Sequence, residues 1–220
     1  MTGLSIIANP GPFAARGDYE GFDATTTIPP LVRPGVAFDV DSYARWEAWQ
    51  VGTLGRDDLS AETSLGAIAW AAESVRAWTP RLGTLRDWVE RHVGTTLDGP
   101  APGAGWVCEA TPIGRAGANA VRTFRRVAGL VRPSLMPPSV PVDVDTALAS
   151  LVGPRWAGCS QGVRRFLAAK AFAAWIAYQS EGIRTGVAML RVALDVLAVE
   201  CARQAGAAGR PLDGPLLVDR

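Results

Sequence analysis

The apolar positions of this chain fall on helical periods, most insistently in its last third. From Ser160 to Gly206 the sequence reads as two long consecutive helices with a small bend near Gly182, and both need other helices to cover them. In the second, Ile183, Val187, Leu190, Leu194, Leu197 and Cys201 recur at alternating steps of four and three, the period of one helix face. Val192, Val196 and Val199 form a second apolar stripe on the same helix, so little of it is left for water. Such a helix belongs at the centre of a fold or against another chain. Arg184, Arg191 and Asp195 share its remaining face, the last two at i, i+4 spacing.

Three shorter helices are predicted upstream. The first starts at Asp41 or Ser42, whose side-chain oxygens suit the orphan amides of a first turn, and runs through Tyr43, Trp46, Trp49 and Leu54 to Gly55. The second follows Ser60, with Glu62 near the positive end of the helix dipole and Leu65, Ile68, Ala72 and Val75 as its stripe, ending before Pro80. The third opens with Thr84 and Asp87 in capping-box spacing and ends at Gly94. A fourth, from about 116 to 132, buries Val121, Phe124, Ala128 and Val131; after a run of prolines, Asp145 caps a short helix through Leu151.

Breakers divide these elements. Residues 1–35 are dense in proline and glycine and read as an irregular arm, with a short strand at Leu4 to Ala8 and with Phe13, Tyr19 and Phe22 anchoring it on the helical body. Residues 36–220 read as one helical domain with a subdomain seam at 94–114, where Asp98-Gly99-Pro100-Ala101-Pro102-Gly103 interrupts any period. Leu212-Asp213-Gly214-Pro215 has the cap and proline of a further helix start: a single terminal turn, or a domain shorter than its ancestral form. Val36 to Ser42 and Val140 to Thr146 echo each other in their valines, their two aspartates and a hydroxyl. Each delivers an extended segment into a helix start, and no further ligands with calcium-loop spacing follow.

Composition narrows the classes. With 48% hydrophobic and 20% charged residues in 220, the chain is an ordinary folding sequence of one generous domain. A net charge of +1, from 22 basic and 21 acidic residues, gives no field to draw nucleic acid or an anionic membrane. Cys108, Cys159 and Cys201 are odd in number, far apart and without zinc-ligand spacing. No secretory signal or span of about 20 apolar residues is present, so the expected setting is the reducing cytoplasm.

Nothing amounts to a catalytic, cofactor or metal signature, and no residue is assigned to such a role. His92, the single histidine, lies on the apolar stripe of the third helix with Leu85, Trp88 and Val89, and no nucleophile elbow accompanies it. Asp57 and Asp58 are adjacent, so their side chains diverge; capping and solvation account for them. Arg115, Arg122 and Arg126, with Arg164 and Arg165 as an extension, form a stripe suited to anions and equally to water. Lys170 falls beside Val163, Phe166, Ala173 and Ala177, on a side expected to be buried, where it would snorkel or pair with Glu200; a pocket between helices there is the enzymatic or small-ligand alternative. Trp46, Trp49 and Trp70, among eight tryptophans, suit either an aromatic binding surface or helix packing.

The run Arg165-Phe166-Leu167-Ala168-Ala169-Lys170-Ala171-Phe172, followed by the bend near Gly182 and the long Val/Leu/Ala helix, resembles the helical tail after the cysteine cluster in YkgJ-type and flagellin lysine-N-methylase-like proteins. The resemblance spans Gly162 to Gln204. The family's cysteine cluster has no counterpart in this sequence, so the iron or zinc binding that the resemblance implies is carried onto none of its residues. It implies a cluster-less relative, or the portion that follows the cluster.

The sequence therefore predicts a mainly α fold, an irregular array of about seven helices with an outer Pro/Gly-rich arm. Its expected role is that of a non-catalytic helical domain packing against a protein partner or a second copy, with no membrane and no cofactor.

Overall fold

The computed structural model describes residues 29–93, 143–172, 174 and 178–211. The expected N-terminal arm up to residue 28, the seam, the helix at 116–132 and the C-terminal turn lie outside these residues. Within them the protein is mainly helical: five helices of nine or more residues and one small two-stranded sheet.

The sheet is a hairpin of β1 (Leu31–Arg33) and β2 (Val36–Ala37), antiparallel, turning at Pro34-Gly35. The expected arm boundary at residue 35 thus falls inside a hairpin turn. Val32 is fully buried beneath the helices, and Phe38 is buried where the chain leaves the sheet.

α1 (Val40–Gly55) begins one or two residues before the predicted start, because Asp39 and not Asp41 or Ser42 is its cap. The Asp39 carboxylate accepts from the Ser42 amide at 2.8 Å and from the Ser42 hydroxyl at 2.6 Å. The echo segment repeats this arrangement. Asp143, not Asp145, accepts from the Thr146 amide at 3.2 Å and hydroxyl at 2.6 Å, and the helix starts at Val144. In both places the second aspartate lies in the first turn, where the helix dipole favours it.

α2 (Ala61–Arg76) follows the sequence reading closely: Ser60 caps it through the Thr63 amide, and Leu65, Ile68, Ala72 and Val75 are all buried. α3 (Leu85–Val93) is capped by Thr84 through the Asp87 amide. From Val144 the helical path does not stop at Leu151. It passes through a π turn (Leu148–Val152), an α turn (Gly153–Trp156) and a 3-10 turn (Ala157–Cys159) into α4 (Ser160–Ala171). Pro154 explains the π turn: it lacks an amide hydrogen and crowds the carbonyl four residues back, so the backbone widens and Gly153 N–H reaches Leu148 O instead.

α5 (Ile183–Ala208) is the longest element and packs on α2, α4, the π turn and β1. Ile183, Leu190, Leu194 and Cys201 of its predicted stripe are buried, and Val187 and Leu197 pack against the core. Each fully buried leucine or isoleucine contributes about 1.5–3 kcal/mol, so this face holds the bundle together. The predicted small bend between α4 and α5 is a longer interruption. Phe172 is extended (ψ 135), Ser180 has φ 57, and Gly182 has φ 68. The chain turns out of helix there to carry Tyr178 into the core.

Candidate functional site

Tyr178 is 1% exposed and lies under α1, where its hydroxyl accepts from Trp46 Nε1 at 3.0 Å and donates to Gln50 Oε1 at 3.0 Å. Its ring meets Phe38 and Tyr43 edge to face, with centroids 6.5 and 5.6 Å away. Its carbonyl accepts from Leu31 N–H at 2.7 Å, tying β1 to the same point. A Cβ on Gly186 would stand 2.8 Å from this ring, so α5 approaches it as only glycine allows. Burial pushes the Tyr178 phenol up to about 12, which keeps it a hydrogen-bond donor at neutral pH. Sequence reading missed Tyr178 because it sits in an unbroken apolar run that suits a helix; the Ser180-Glu181-Gly182 break just beyond was the available signal.

A polar clamp closes the near end of the α2–α5 seam. Arg184 holds Glu73 through two bonds of 2.8 and 2.6 Å, while Arg76 reaches the Glu181 carbonyl and, at 3.4 Å, the Val32 carbonyl. The hydrogen bond from Arg184, opposed by partial burial and helped by the charges of Arg184 and Arg76, holds the Glu73 carboxyl below its ordinary range. These contacts pair residue 76 with 181 and 73 with 184, so the two helices run antiparallel. Trp70 is 43% and Val192 48% exposed. With the exposed Ala188, these side chains of α2 and α5 are the candidate interaction surface.

The remaining predicted residues are placed elsewhere. Of the second stripe, Val199 is buried, Val196 half-buried and Val192 exposed. Trp46 and Trp49 are core residues, 5.2 Å apart between ring centroids, so of the three tryptophans only Trp70 reaches the surface. His92 is half-buried, its Nδ1 2.8 Å from the Trp88 carbonyl and its ring tilted at 43° against that indole, centroids 4.4 Å apart.

Two readings are corrected. Lys170 is exposed rather than buried: α4 ends at Ala171, and the ammonium lies 5.6 Å from the Phe166 ring. Positions 173 and 177 are outside the described residues. Glu200 pairs with Arg203 at 2.9 Å on its own helix, and no ion pair joins it to Lys170. Arg164, expected on an open basic stripe, is 6% exposed. It donates to Asp57 at 2.5 Å, to the Leu59 carbonyl at 3.2 Å and to Ser160 Oγ, pinning the α1–α2 loop. Asp58 turns away to Arg56 at 2.6 Å, so the acidic pair does diverge, each carboxylate to its own guanidinium. Arg115, Arg122 and Arg126 lie outside the described residues.

Cys159 and Cys201 are both buried, and burial, then Cys159 and Glu200, push the Cys201 thiol up to about 12. Among the described residues no three histidine, cysteine or acidic side chains come together as a metal would require. No helix among them is long and apolar enough to cross a membrane. No protein-family model, curated protein or solved structure matches the chain.

Proposed function

We propose that this chain is a non-catalytic helical domain that acts by packing against another polypeptide or a second copy of itself. The observation that carries the reading is that Trp70 on α2 and Ala188 and Val192 on α5, two helices packed on each other, leave apolar side chains exposed. The dispersal of Asp57, Asp58, Glu73, Arg164, Arg184 and Glu200 into separate structural pairs supports it, since a reaction needs such groups to converge. The resemblance of Gly162 to Gln204 to the tail of the cysteine-cluster proteins enters this reading only as an expectation of helix packing. Anion or nucleic-acid binding by Arg115, Arg122 and Arg126 is the weaker alternative, resting on sequence alone; binding that does not weaken with salt counts against it.

Light scattering behind size exclusion, run over a range of concentrations on the wild type and Val192→Asp, tests the proposal. The expected result is a mass that rises with concentration, or binding of an apolar fluorescent dye, in the wild type alone. A wild type that stays monomeric and binds no more dye than Val192→Asp overturns both forms.

A further inference from the structure

We draw no further inference here: the strongest candidate, the exposed apolar side chains of Trp70 on α2 and Ala188 and Val192 on α5, belongs to the surface on which the proposed function already rests, and nothing in the structure shows what covers it.

Discussion

The indole nitrogen of Trp46 donates a 3.0 Å hydrogen bond to the phenolic oxygen of Tyr178, a residue 132 positions further along the chain. Both side chains are buried, so neither group has water to fall back on. The bond therefore fixes where the α4–α5 connection meets α1. Because Tyr178 also holds Leu31 through its carbonyl, one residue locks the hairpin, the first helix and the last connection together.

Tyr178→Phe removes the hydroxyl and leaves the Trp46 N–H and the Gln50 carbonyl buried without it. The expected loss is about 1–3 kcal/mol, read as a lower urea midpoint at unchanged slope. An unchanged midpoint would show that the hydroxyl contributes no net stability.

Gly186→Ala sets a methyl group against the Tyr178 ring, which its hydrogen bonds prevent from retreating. Overpacking of this kind costs about 1–3 kcal/mol. Gly182→Ala costs more, because a Cβ there would stand 2.6 Å from the Leu31 carbonyl oxygen at a φ of 68 that disfavours side chains. Equal midpoints for the two variants would contradict the placement of Gly182 against the hairpin.

Asp39→Ala removes the α1 cap at a cost of about 0.5–2 kcal/mol, with faster amide exchange confined to the first turn. Burial alone would raise the Asp39 carboxyl, but the hydrogen bonds from Ser42 outweigh it and hold it below its usual value. The folded carboxyl is the stronger acid, so its contribution is present above the unfolded pKa and is lost as pH falls through the folded one. Asp39→Ala should flatten that acid limb of stability against pH; an unaltered limb would refute the cap's role.

Asp195 acts with the opposite sign. It is 7% exposed, and burial raises its carboxyl despite Arg191, whose Nε lies 3.9 Å away. The folded state holds its proton more tightly than the unfolded state, so Asp195 lowers stability once pH rises past the unfolded value. Asp195→Asn is expected to raise the neutral-pH midpoint more than the acid one. A variant less stable than wild type at pH 7 would mean that the Arg191 pair outweighs the desolvation.

The exposed apolar side chains should be separable from the core. Val192→Asp changes stability by no more than about 0.5 kcal/mol, whereas Leu190→Ala, two residues earlier on the buried side, costs about 2–5 kcal/mol. Denaturation of the two variants side by side checks this. A large loss from Val192→Asp would mean that Val192 belongs to the core and not to a binding surface.

Local rules made much of this fold legible. α2 could be read from Ser60 and the spacing of Leu65, Ile68, Ala72 and Val75, because a cap and a 3.6-residue period are decided within one segment. The caps of α1 and of the helix at Val144 lie earlier than the sequence predicts, at Asp39 and Asp143. Two aspartates two residues apart are both competent caps, and only the backbone shows which one the Ser42 or Thr146 hydroxyl turns back to meet.

What the sequence by itself determined was the helical character and the buried face of α5, since periodicity depends on near neighbours. Tertiary structure alone decided that Arg164 is buried while Lys170 is in water, that Tyr178 lies in the core between α4 and α5, and which apolar side chains stay outside. Those outcomes depend on partners such as Asp57 and Trp46, more than 100 positions away, and no local period encodes them.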